Sequence, residues 1–199
     1  MEKPPRKSRA QIATAAANTK VAIVQAAQQI VVRDGVNALT IDAVARESGV
    51  SKGGVLYHFK TKEALIQGMV DSLCSEYEAI LLNHRETEGD VPGSWARAYI
   101  KSNLDPANAS QENFSVGAAI LAAVANNHEL VGPFREKLHD WYELMAQDSP
   151  TPTPALIAAL ASDAMFFFKM LGLWTMSQEQ QDNLVAAMLE LTQGDRVTE

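Results

Sequence analysis

Two helix caps with a glycine between them, Thr40, Gly49 and Ser51, constrain this chain more than any other feature. A Thr or Ser hydroxyl placed just before a helix accepts a hydrogen bond from the first free backbone N–H groups. Thr40 precedes the run Ile41 to Ser48, and Asp42 in its first turn suits the positive end of the helix dipole. Gly49 stops that helix where positive φ is easiest for glycine, and Ser51 starts the next one. Two short helices must therefore meet at a tight turn. Ala45 falls where the two helices cross and only a small side chain fits, while Val44, Val50 and Val55 supply apolar contacts on the inner side. This small–Gly–apolar spacing is the recipe of a helix-turn-helix, whose second helix projects into a major groove. A tight helical hairpin with no nucleic-acid role would read the same way.

The remainder is also helical in period. Val21, Val24, Ala27, Ile30 and Val31 predict a first helix over 19–34, capped by Thr19 and stopped by Gly35. A third short helix is predicted over 52–58, then a long one over 62–84 behind Thr61. Further helices are predicted at 92–104, 112–126, 133–147, 154–173 and 177–192, punctuated by Pro106, Gly132-Pro133 and Pro150, Pro152 and Pro154. Strand alternation and long repeats are missing. The expected fold is all-α with about nine helices: a three-helix N-terminal head and a larger helical body. Three segments follow: a basic flexible arm over 1–18, a helix-turn-helix domain over 19–65 running on into the fourth helix, and a body over 66–199.

The net charge of −7 hides an asymmetry. Through Lys62 there are ten Lys and Arg against four Asp and Glu, a net of +6, and the rest of the chain carries −13. A basic segment on an acidic body suggests a polyanionic partner. Cys74 is the single cysteine, which excludes an internal disulfide. No uninterrupted apolar stretch predicts a membrane span, and no secretory run follows the charged start, so a cytoplasmic protein is expected. Catalysis is not expected either. The sequence has no GxxxxGK, HExxH or CxxC, and His58, His84, His128 and His139 lack metal-ligand spacing. No cofactor and no metal are expected.

The run Gly49-Val50-Ser51-Lys52-Gly53-Gly54-Val55-Leu56-Tyr57-His58-Phe59-Lys60-Thr61-Lys62-Glu63-Ala64-Leu65 closely resembles the signature of TetR-type (tetracycline-repressor-like) regulators. The resemblance runs from about Thr19 to Leu65, and the rest of the chain matches in length and helical pattern. Where that family carries Leu-Tyr this chain has Val55-Leu56, so the aromatic group falls on Tyr57. By position, Ser51, Lys52, Gly53 and Gly54 begin the helix that meets base edges. Lys52 can donate to guanine O6 or N7, or to a phosphate. Two glycines in a helix cost about 1 kcal/mol each relative to alanine, which points to close backbone approach to the groove rather than a merely flexible start. The resemblance implies that Tyr57 and His58 donate to phosphates, with a packed, capped histidine as the alternative for His58. Phe59 belongs to the core. Thr40 and Lys62, each at a helix start, also suit phosphate.

The resemblance further implies a ligand-released repressor that binds a palindromic double-stranded operator as a homodimer, with a small-molecule effector of unknown identity. An activator, or a nucleic-acid-binding protein without a small-molecule switch, stays open as the alternative. Trp95, Tyr99, Phe114, His128, Trp141, Tyr142 and Phe166 are aromatic or amphipathic groups suited to an effector pocket, though such groups at helical spacing also make plain core. Leu156, Leu160, Phe167 and Leu171 form one helical series, and Leu184 and Met188 belong to another. By resemblance these last two helices pair with their symmetry mates. Otherwise they simply complete the core. Cys74 reads as a buried filler rather than a sensor.

Overall fold

The computed structural model describes residues 9–105, 107–108, 111–124 and 128–193, and among these the chain is all-α. It forms two compact units, one ending at Met69 and one beginning at Val70.

In the first unit, α1 (Arg9–Asp34) leads through a 3-10 turn (Val36–Ala38) to α2 (Ile41–Ser48), α3 (Lys52–His58) and the start of α4 (Lys62–Glu88). Helix α1 begins ten residues before the predicted cap at Thr19. Thr19 is no cap: its hydroxyl donates to the Ala15 carbonyl at 2.8 Å, the back-bond of a threonine inside a helix. The Ala-rich stretch before it extends the helix, because alanine has the highest intrinsic propensity. Of the expected flexible arm, residues 9–18 are thus helical, and residues 1–8 lie outside the described set. Ile23, Ala27, Leu39, Val44, Val55 and Leu65 are wholly buried and bring the four helices onto one core. Gly68 lets α4 lie on Phe59, since a Cβ there would stand 2.6 Å from the Phe59 ring.

The second unit holds the rest of α4 with α5 (Ser94–Leu104), α6 (Gln111–Val124), a 3-10 turn (His128–Val131), α7 (Gly132–Asp148), α8 (Pro152–Met170) and α9 (Gln178–Leu191). Helix α5 packs against α7, α8 and α9. Its Ala96 and Ala98, with Ala155, Ala158 and Ala159 of α8, are fully buried, and these small side chains permit close approach. The carboxylate of Asp148, the last residue of α7, accepts from the Ser94 hydroxyl at 3.1 Å and from the Trp95 N–H at 2.9 Å, and so caps α5. Glu88, the last residue of α4, bonds Arg97 at 2.6 Å and also Lys101, tying α4 to α5. A capping box at Ser177 and Gln180 starts α9. Among the described residues α8 is the one helix long and apolar enough to cross a membrane by length and composition; here it packs against α5, α6, α7 and α9.

Candidate functional site

The first candidate surface is the outer side of α3. Its frame is local. The Thr40 hydroxyl accepts from the Ala43 N–H at 3.1 Å, and the Ser51 hydroxyl accepts from the Gly54 N–H at 3.1 Å. Gly49 takes φ 68° between the two helices, as the turn requires. Arg33 forks onto Glu47 at 3.0 and 3.1 Å, joining α1 to α2. With Val55 and Phe59 turned inward, Ser51, Lys52, Gly53, Leu56 and Tyr57 are left exposed on one short helix. Tyr57 is 80% exposed, and its ring meets His58 edge-on at 5.1 Å. His58 is half-buried. Lys52 bonds Asp42 at 2.9 Å in the open, where an ion pair contributes little and an incoming acceptor can displace it.

Two residues of this face need revision. The two glycines do not share one reason. A Cβ on Gly53 would meet nothing within 4 Å, but one on Gly54 would stand 2.8 Å from Val50 Cγ1 and 3.3 Å from the Ser51 hydroxyl oxygen. Gly54 is thus required by the turn itself, and Gly53 alone is free to serve a partner. Lys62 is half-buried, and its ammonium already donates to the Val36 carbonyl at 2.7 Å, so it holds the 3-10 turn to the start of α4.

The second candidate lies within the body: a cavity of about 210 Å³ between α4, α5, α6, α7 and α8. Tyr77, Tyr99, Phe134, Trp141, Phe166 and Phe167 give it aromatic walls. Of the aromatic groups singled out in the sequence, Tyr99, Trp141 and Phe166 line it. Phe114 stands behind the wall, edge-on to Phe166 at 5.4 Å, and Trp95 lies away from it with Arg85 over its ring at 5.5 Å. Tyr142 is joined to the lining through Asp163, and the side chain of His128 lies outside the described set.

Sequence reasoning missed the polar groups here. The Asp163 carboxylate, at the cavity wall, accepts from the Tyr99 hydroxyl at 2.8 Å, the Asn103 amide at 2.9 Å and the Tyr142 hydroxyl at 2.6 Å. Tyr77 donates to Asn103 at 2.9 Å. Burial pushes the Asp163 carboxyl above the ordinary carboxylate range, against the pull of its three donors. Burial likewise holds the Tyr99 and Tyr142 hydroxyls above the phenol range, so both stay protonated donors. A signal existed: Asp163 is the one charge in the apolar run from Ala155 to Phe168.

Cys74 also lines this cavity, and burial pushes its thiol up to about 11. Its alkylation by iodoacetamide is expected to be slow at neutral pH, to quicken as pH approaches that value, and to slow further when the cavity is filled. Fast labelling at neutral pH, read by mass spectrometry of the intact protein, would contradict this environment.

The predicted partner face of α8 and α9 is partly redrawn. Leu160, Phe167, Leu171 and Leu184 are exposed, but Met188 is 4% exposed, packed with Ile100, Ala158 and Met165 of its own chain, and Leu156 packs on the core beside Trp141. Helix α8 turns Ala155, Ala158 and Ala159 inward, which places Leu156 at the core margin and brings out Ile157 and Phe168 instead.

Residues 23–69 match the family profile of bacterial regulatory proteins, tetR family, and residues 93–193 match the tetracyclin repressor-like C-terminal domain. The HTH-type transcriptional regulator TtgR of Pseudomonas putida is 32% identical over 76 residues, 38% of this chain and 36% of that protein. SrpR, another HTH-type transcriptional regulator of Pseudomonas putida, is 31% identical over 99 residues, 50% of this chain and 44% of that protein. The chain thus spans less than half the length of either relative. The fold is that of the multidrug binding protein EbrR complexed with imidazole, at a TM-score of 0.63 and 18% identity over 90% of this chain and 98% of that one. These relatives are transcriptional regulators rather than enzymes. With both its head and its body matched, the chain belongs to the TetR family of helix-turn-helix transcriptional regulators.

Proposed function

We propose that this protein is a cytoplasmic, ligand-released repressor that binds a palindromic operator as a homodimer. The observation that carries the reading is the outward face of α3, where Ser51, Lys52, Gly53 and Tyr57 stand exposed while caps and core hold the helix rigid. Its start meets base edges, and Thr40, Tyr57, His58 and Lys62 engage phosphates around it. Lys62 does so only by sharing or leaving the Val36 carbonyl.

Two copies are needed because palindromic half-sites lie about 34–36 Å apart or a multiple of that. Ile157, Leu160 and Phe168 on α8, Leu171 at its C-cap, and Leu184 and Leu191 on α9 are exposed apolar side chains, and the two helices pack together. Exposed apolar side chains recurring along neighbouring helices suit an interface, which a second copy of the same helices covers symmetrically. The release step runs through α4. Val70, Leu73, Cys74 and Tyr77 of that helix line the cavity, and its first turns belong to the head. A ligand that displaces this wall changes the separation of two heads in the dimer.

The test is selection of bound fragments from sheared genomic DNA of the source organism, followed by competition with random duplex. The selected duplex is expected to bind roughly 10³-fold more tightly than random DNA. Binding within tenfold of random DNA would refute an operator-specific regulator. On the same duplex, Lys52→Ala separates its two roles. A base-edge contact costs about 1–3 kcal/mol and relaxes preference at one position, whereas a phosphate contact flattens the salt slope by about one unit.

A further inference from the structure

We infer that the body cavity takes a small aromatic ligand carrying a single positive charge on nitrogen, with Asp163 as its counter-charge. This rests on the effector reading of the same cavity. Asp163 is a carboxylate in a mostly apolar, aromatic chamber whose other polar lining is uncharged, Asn103, Asn108 and Asn113 among it, and every group bonded to it is neutral: the Tyr99 and Tyr142 hydroxyls and the Asn103 amide. No Lys or Arg is among the described residues lining the cavity. A negative charge held there without a positive partner is costly to bury. The chain places the carboxyl there and surrounds it with fixed donors, which orient it and favour its ionised form but bring no positive charge.

A bound ammonium completes the arrangement. The Oδ1 oxygen already accepts from Tyr99 and Asn103, while Oδ2 accepts from Tyr142 alone and keeps room for a further donor. Tyr77, Tyr99 and Trp141, whose ring centroids lie 4.9–6.4 Å apart, line the same cavity and supply aromatic surface that attracts a cation. An anion would place two like charges in one apolar chamber. A neutral ligand would leave the cost of the carboxylate in place. With about 210 Å³ of room, the cavity suits a body of one or two rings. Tyr99, Asn103 and Tyr142 are positioning residues for this contact.

A charge series of one size reads the inference directly: naphthylethylamine, naphthylethanol and naphthylacetate, titrated calorimetrically into the full chain at neutral pH. The amine is expected to bind about tenfold to a hundredfold more tightly than the alcohol, and the acid most weakly. Asp163→Asn, folded as judged by circular dichroism, is expected to bring the amine down to the alcohol. The inference falls if the alcohol or the acid binds wild type as tightly as the amine, or if folded Asp163→Asn keeps the preference. Binding of all three without a charge preference overturns the inference alone. Failure of all three to bind overturns it together with the effector reading of the cavity.

Discussion

Gly53→Leu is expected to leave the head folded and to lower affinity for the selected duplex about a hundredfold or more. Position 53 has open space around a Cβ and sits in the first turn of α3. Leucine there removes a glycine penalty of about 1 kcal/mol, so the head melts at the same temperature or higher. The same side chain would stand between the helix start and the base edges, where a groove-docked backbone leaves no room. Gly54→Leu is the contrasting variant. Its Cβ must displace Val50, a branched side chain in the turn, and crowd the Ser51 cap, an overpacking that costs about 1–3 kcal/mol. Circular dichroism melts and fluorescence anisotropy separate the two. An unaltered affinity for a folded Gly53→Leu head would mean that α3 does not approach DNA by its N-terminal end.

Leu160→Glu is expected to turn a dimer into a monomer and to cost about 10²–10⁴ in operator affinity, because two linked heads bind with an effective concentration that two separate heads lack. Leu160 is 58% exposed, and Ile157 and Phe168 are exposed on the same helix. A symmetric pair carries the substitution on both of its sides, so two carboxylates are buried without partners. The monomer itself keeps its fold, since the substituted side chain is outside the core. Sedimentation at micromolar concentration gives the mass, and the selected duplex gives the affinity. A wild-type monomer at that concentration would remove the interface, and a dimeric Leu160→Glu would move it elsewhere.

What sequence reading could and could not reach follows from the range of the forces involved. The caps at Thr40 and Ser51 were legible because a cap bond spans three residues, and each was found where its hydroxyl meets the N–H it serves. The Gly49 turn was legible for the same reason. Thr19 misled because a threonine inside a helix and one in front of it present the same residue; only the direction of its hydroxyl bond distinguishes them. Met188 misled because helical spacing gives a face but not its neighbour. The two glycines of α3 looked equivalent until Val50 was placed beside one of them.

The order of residues along the chain was enough to determine an all-helical protein, a capped helix-turn-helix and an exposed lysine and tyrosine on its second helix, since backbone bonding and capping join near neighbours. Tertiary structure alone decided the cavity and its charge. Asp163 meets Tyr142 across 21 residues, Asn103 across 60 and Tyr99 across 64. Separations of that length are closed only when α5, α7 and α8 pack, and no local pattern encodes which faces of those helices will meet.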